Sequence, residues 1–334
     1  MARSRSIMYR ELPSWLNAIL VFGTLATVVY YEIKRPLRTM RQDKITRNAR
    51  NVFMSLTTAA TIALTEKPVT APLSRAVEKY GIGLLKIRRL PVWADIALSV
   101  ALLDYTLYMW HYLTHKVPFL WRFHLAHHVD MDLDASTALR FHAAEMALSV
   151  PWRAAQVSIL GISPLSLAIW QTLTLMEIMF HHSNVRLPGN VERRLCRVIV
   201  TPRMHGIHHS IVQEETDSNW STIFSWPDYL HGTIRLNVPQ DAITIGVAGY
   251  QNPEELTVGK IQKLPFVADR PSWQLVDDGK PQREPLPGRI TSLSIEQATP
   301  PVASGLAEEQ PDDLPPVRFT KSLIRKWTPA IAAR

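Results

Sequence analysis

Every one of the twelve histidines in this 334-residue chain lies between His111 and His231. Most fall in clusters with helical spacing. His111 and His115 stand at i, i+4; His124, His127 and His128 at i, i+3, i+4; and His205, His208 and His209 repeat that second pattern. His181 and His182 form a pair, and His142 and His231 stand alone. Residues three and four apart share a helix face, so each cluster presents converging imidazoles wherever it is helical. Thr201 and Pro202 precede the last cluster as an N-cap and a first-turn proline, which predicts a helix starting there.

A single H-x-x-x-H is more often solvated or structural than a ligand pair. Three clusters together are different. Eight imidazoles exceed what one four-coordinate zinc takes and suit two borderline metals with open positions. Soluble di-iron oxygenases use glutamate-rich sets. Here the set is nearly all histidine, and neutral ligands leave the metal charge high, which suits iron that must activate oxygen. A zinc hydrolase would use fewer ligands and a general base such as the glutamate of H-E-x-x-H, which the sequence lacks.

Long apolar runs surround these clusters. Leu12 to Tyr31 carries no charge and is long enough to span a bilayer. Residues 33–50 then carry Lys34, Arg35, Arg38, Arg41, Lys44, Arg47 and Arg50 against Asp43 alone, which places that loop in the cytoplasm. Asn51 to Thr65 is uncharged but short: a span extended towards Ala71, or a helix buried among others, with Pro68 and Pro72 marking its end. Residues 73–91 read as a basic amphipathic connector. Trp93 to Tyr112 is the next membrane segment, interrupted by Asp95 and Asp104. An acidic residue in an apolar helix usually faces the protein interior. Asp104 shares a helix face with His111, so it is a candidate to orient a metal-bound imidazole, or else a capping or interhelical polar contact. Residues 146–180 are apolar and broken at Gly161 and Pro164, which predicts a hairpin of two helices, one arm carrying Arg153.

The expected fold is therefore an all-α integral membrane protein with about four transmembrane or hairpin helices and a histidine-rich helical cap on the cytoplasmic face. Residues 1–90 supply N-terminal membrane helices and the basic loop, 91–266 the catalytic domain, and 267–334 a Pro-rich tail. That tail cannot bury enough surface to fold alone and is expected to be disordered. Its basic amphipathic end could lie on anionic lipid. The formal charge of +8 is compatible with nucleic acid. However, the charges flank apolar runs and no nucleic-acid-binding motif is visible. The single Cys196 excludes an internal disulfide framework and a C-x-x-C zinc site. The N-terminus lacks an A-x-A-like cleavage site and reads as a first membrane helix.

Five segments carry a family resemblance. They are D-x6-H-x3-H from Asp104 to His115, L-W-R-F-H-x2-H-H from Leu120 to His128, A-L-R-F-H-x2-E from Ala138 to Glu145, H-S-N at His182 to Asn184, and V-T-P-R-M-H-x2-H-H-S from Val200 to Ser210. Together they resemble the fatty acid hydroxylase/sterol desaturase superfamily of integral-membrane di-iron oxygenases. Asn219–Thr233, Ile245–Tyr250 and Leu264–Phe266 resemble its later segments, so the likeness covers roughly residues 90–266. One departure is Trp226-Pro227-Asp228, where the family often has Trp followed directly by Asp; another is Trp220-Ser221, where it often has Tyr or Phe before a Gly.

The resemblance implies that His111, His115, His124, His127, His128, His182, His205, His208 and His209 ligate two iron ions. His142 either ligates or acts one shell out, with Glu145 one turn away. Asn219 and Asp228 are supporting positions, while His181 and His231 are structural. It further implies oxygen-dependent hydroxylation or desaturation of a lipid C–H bond on a fatty acyl, sterol-like or amino-lipid substrate. The chain has no heme motif, Rossmann fingerprint or ferredoxin cysteines, so a separate electron donor, ferredoxin- or cytochrome-type with its reductase, is required. The alternatives are a non-catalytic membrane metal-binding or transport protein and a zinc-dependent membrane hydrolase.

Overall fold

The computed structural model describes residues 12–267, 270–275, 277 and 279–283. The polar N-terminal segment and most of the Pro-rich tail, including its basic end, lie outside these residues. Among the described residues the chain is helical, and its only extended pairings are isolated bridges.

Helix α1 (Ser14–Lys34) is apolar and almost wholly exposed, with Val28 its one buried residue. Its 21 residues extend about 32 Å, enough to cross a hydrocarbon core. Its last turn is anchored. Glu32 accepts the backbone N–H groups of Ala135 and Asn184, both at 2.8 Å.

Helix α2 (Lys44–Thr61) starts at Asp43, whose carboxylate caps Thr46 N–H. A π-helical turn (Ile62–Glu66) joins it to α3 (Lys67–Tyr80). Pro68 and Pro72 do not end the helix as expected. Pro68 sits in the first turn after the π segment, where a missing N–H costs least, and the helix runs on to Gly81, left-handed at φ 66°. The first half of the expected 73–91 connector is thus helical.

Helix α4 (Val92–Lys116) carries the first histidine pair and is the second helix long and apolar enough to cross a membrane. Asp95 receives Lys86 Nζ and Ser166 Oγ at 2.8 and 3.1 Å. After α5 (Pro118–His128), helices α6 (Ala143–Leu160) and α7 (Pro164–His182) flank a turn at Gly161 (φ 81°). The break falls where the sequence places it. A side chain on Gly83 would overlap the Gly161 backbone, so two loops meet through glycines there. The short helices α8 (Gly189–Leu195) and α9 (Pro202–His208) follow, and Thr201 caps α9 through Met204 N–H.

Two apolar clusters position the histidines. Met54 from α2, Leu125 and Ala126 from α5, and Val247, Tyr250, Leu256 and Ile261 form one. The closing segment 245–261 is thereby clamped on the helix that carries three histidines. The other joins Val77, Val100, Leu103, Val157, Leu160 and Trp170 along the apolar helices. Part of the basic loop serves the fold directly. Arg47, 1% exposed, pairs with Asp130 at 2.9 Å and Asp134 at 2.7 Å. Burial pushes the Asp130 carboxyl up, but Arg47 and Arg140 outweigh it and hold it well below the usual carboxylate range. A matched buried pair of this kind costs little, whereas either charge alone would be expensive.

Candidate metal centre

Four elements converge: the end of α4, helix α5, the end of α7, and α9. Their histidines sort into two groups. His111, His115, His128 and His208 form one, and His127, His182, His205 and His209 the other; within each group one nitrogen from each ring lies within 4.8 Å of those from the other three. Helical geometry explains the division. Consecutive residues on a helix point about 100° apart, so His127 and His128 face different groups, and so do His208 and His209. The i, i+4 pair His205 and His209 stays together.

In the second group Nε2 of His182 lies 3.1 Å from that of His127 and 2.9 Å from that of His205, and Nε2 of His209 lies 3.1 Å from that of His205. Two nitrogens bound at right angles to one metal, each at about 2.1 Å, would be separated by roughly 3.0 Å. Both nitrogens of His115 are buried without a partner, as are Nδ1 of His127, His128, His205 and His209 and Nε2 of His208. Orphaned buried nitrogens are costly, and a shared cation would relieve those aimed at it. Burial holds the rings neutral, the form that ligates: it pushes His208 down to about 3 and keeps His127, His128, His205 and His209 well below the usual imidazole value. The donor set therefore fits two metal ions.

One loop fixes the rings. Nδ1 of His208, His111 and His181 lie 2.8, 2.8 and 3.1 Å from the carbonyls of Ser218, Trp220 and Thr222. A carbonyl only accepts, so these Nδ1 atoms carry the proton and leave Nε2 with its lone pair. His182 is held likewise by Ile178 O at 2.7 Å. Two buried carboxylates in turn hold the loop. Asp228 accepts from the amides of Trp220 and Ser221, and Asp104 from those of Ile223 and Phe224, all at 3.0 Å. Asp104 thus braces the loop, its carboxylate accepting two backbone amides rather than contacting an imidazole. Asn219 takes a left-handed φ of 53°, and its amide bridges Met204 O and the Arg235 backbone. The inserted Pro227 sits in the first turn of the helix Trp226–His231 and leaves Asp228 facing the loop.

The remaining candidates separate. His124 belongs to neither group of four. Its Nδ1 meets Glu145 Oε1 at 2.8 Å, and its Nε2 lies 3.2 Å from that of His128. His142 is not brought to either group. Its Nδ1 accepts Ala144 N–H as the cap of α6 and its Nε2 lies 3.1 Å from Gln262 O, so both nitrogens are engaged and the expectation of a ligand there is corrected. His181, which the resemblance makes structural, lies beside the second group, its ring tilted against that of His205 with centroids 4.1 Å apart. His231 bonds Tyr105 Oη at 3.1 Å, away from the groups. The backbone carbonyls that orient the rings carry no sequence signal of their own.

A cavity of about 570 Å³ opens beside the centre, and His111, His124, His127, His181, His182 and His205 all line it. Its lining also includes Ser149, Leu175, Arg153, Glu66 and Asn17 from the apolar helices and the π-helical turn. Its volume and largely apolar walls suit a lipid-sized ligand.

Comparisons with known proteins bear on this histidine-built centre at the ends of apolar helices. The family model described as fatty acid hydroxylase matches residues 96–233. The chain is 26% identical over 243 residues to an ornithine lipid hydroxylase, OlsE, of Rhizobium tropici, covering 70% of this chain and 71% of that one. It is 30% identical over 156 residues to a cholesterol 25-hydroxylase-like protein of Danio rerio, covering 46% of this chain and 58% of the relative. The human cholesterol 25-hydroxylase is 26% identical over 143 residues, 42% of this chain and 51% of its own length. The chain thus spans little more than half the length of the cholesterol 25-hydroxylase relatives. No solved structure matches significantly. The family model and these relatives support a place in the fatty acid hydroxylase/sterol desaturase superfamily.

Proposed function

We propose that the protein is an integral-membrane di-iron oxygenase that hydroxylates a lipid C–H bond, with desaturation as the related outcome. The observation that carries this reading is the pairing of two four-histidine groups with one cavity lined by members of both. His111, His115, His128 and His208 would hold one iron, and His127, His182, His205 and His209 the other, with His124 between them. Iron held there would supply oxygen activation: with two electrons and two protons from outside, one atom of O2 would enter the C–H bond as an alcohol and the other would leave as water.

The residues do the rest. The carbonyls of Ser218, Trp220 and Ile178 keep the proton on Nδ1 and aim Nε2 inward. Glu145 receives His124 Nδ1. The apolar walls align the chain and exclude bulk water. The basic loop at 33–50, whose Arg38 and Arg47 bond Pro202 O and Asp130 beside the histidine helices, supports a multi-pass protein with the centre on the cytoplasmic face. There a ferredoxin- or cytochrome-type donor with an acidic surface would dock. Residues 91–266 form the catalytic domain in this reading, with residues 1–90 as its membrane partner and 267–334 as an appended tail.

Lipidomics of cells with and without the gene tests the reading. A named lipid gaining one oxygen, or losing two hydrogens, only when the gene is present supports it. An unchanged lipidome together with one zinc per purified chain would favour the hydrolase instead.

A further inference from the structure

Besides the exposed Lys67, the cavity lining carries two charges that the histidine chemistry does not use, Arg153 and the buried Glu66. Arg153 lies on α6 among apolar residues, eight positions beyond Glu145, about 12 Å along the helix. Glu145, Ser149 and Arg153 share one face and all line the cavity. The Arg153 guanidinium bonds Gln156 Oε1 at 3.0 Å and lies over the Trp170 ring at 4.9 Å. Trp170 is 3% exposed, and its Nε1–H is buried without a partner, as is Thr174 Oγ1; both residues line the same cavity. On the facing π-helical turn, which packs against α6, Glu66 is 8% exposed and also lines the cavity. Arg153 and Glu66 form no ion pair with each other or with any other group among the described residues. Ionisable residues within an apolar helix bundle are expensive and mark ligand sites. Opposite charges left apart across a cavity ask for a ligand with charges of its own.

We propose that this cavity binds the polar head of a zwitterionic lipid, its anionic oxygens on Arg153 and Trp170 Nε1 and its ammonium on Glu66. This rests on the lipid-oxidation reading above and narrows it. The anionic group is a carboxylate or a phosphate. A sterol, whose head is one hydroxyl, leaves both charges unanswered.

Displacement of radiolabelled ornithine lipid from the purified full-length protein in nanodiscs tests the site. The competitors are unlabelled ornithine lipid, its methyl ester, its N-acetyl derivative, phosphatidylethanolamine and cholesterol. The expected result is that one zwitterion competes at least tenfold better than cholesterol, and the preferred one identifies carboxylate or phosphate. If it is ornithine lipid, both blocked derivatives also compete at least tenfold less well. Arg153→Gln should abolish discrimination against the lost anion, Glu66→Gln discrimination against the lost ammonium, and Arg153→Lys should restore part of the first. Equal competition by cholesterol or the blocked derivatives in the wild-type protein overturns the proposal, whether or not the variants fold. Oxygenated product without head selectivity refutes this inference alone. Head selectivity without any oxygen-dependent product leaves the binding site standing and refutes the oxygenase reading.

Discussion

The Asp104 carboxylate, on the apolar helix α4, accepts the backbone N–H of Ile223 at 3.0 Å and so braces, from inside the helix bundle, the loop that aims three imidazoles. Its second oxygen takes the amide of Phe224 at the same distance. Asp104→Asn would set an N–H₂ group against one of these amide donors. A lost hydrogen bond to a charged group is worth about 1.5–3 kcal/mol, so a lower melting temperature and reduced metal content should appear together. A variant with wild-type metal content and stability would show that the loop holds itself.

Glu145 acts one step closer to the centre. Glu145→Gln keeps an oxygen for His124 Nδ1 but removes the charge. Changes to such partners typically cost 10–100-fold in metal affinity or activity, so a loss in that range is expected with helix content unchanged by circular dichroism. Activity within twofold of wild type would place His124 outside the working centre.

Gly206 sits in α9 between ligand-bearing positions, and a side chain there would overlap the Arg38 guanidinium. Arg38 is held by Pro202 O and Gln240 Oε1 at 2.8 and 2.5 Å. Gly206→Ala should destabilise the protein by about 1–3 kcal/mol, the usual cost of overpacking. Adding Arg38→Ala should relieve part of that loss, and the pair should be non-additive in thermal melts.

Acid should release metal and stability together. His208 is pushed down to about 3 by burial, against about 6.5 for a free imidazole. A depressed histidine contributes stability that is fully present above the unfolded value and lost as pH falls through the folded one. Metal retention and melting temperature should therefore be flat above about pH 6.5 and decline towards pH 3. A decline confined to alkaline pH would contradict neutral-imidazole ligation.

Much of this was legible in the residues. The helix at Thr201 starts where its cap and proline say, and the turn at Gly161 falls where apolar periodicity breaks. The histidine spacing announces convergence because i, i+3 and i+4 are local relations. The division into two groups was not legible, because His128 meets His208 only through tertiary packing. Nor were the carbonyls of Ser218, Trp220 and Thr222, which any residue type supplies. His142 misled because a cap and a ligand use the same imidazole nitrogens. Arg47 looked like a topology signal, since its partners Asp130 and Asp134 lie far along the chain.

The central claim is two metal ions held by two separable histidine groups. Metal analysis of the purified full-length protein, alongside His115→Ala and His209→Ala, tests it most directly. The account predicts two irons per chain in the wild type and a selective loss from the affected group in each variant, with oxygen-dependent turnover abolished in both. A single zinc per chain, or full metal content and turnover in either variant, would contradict it.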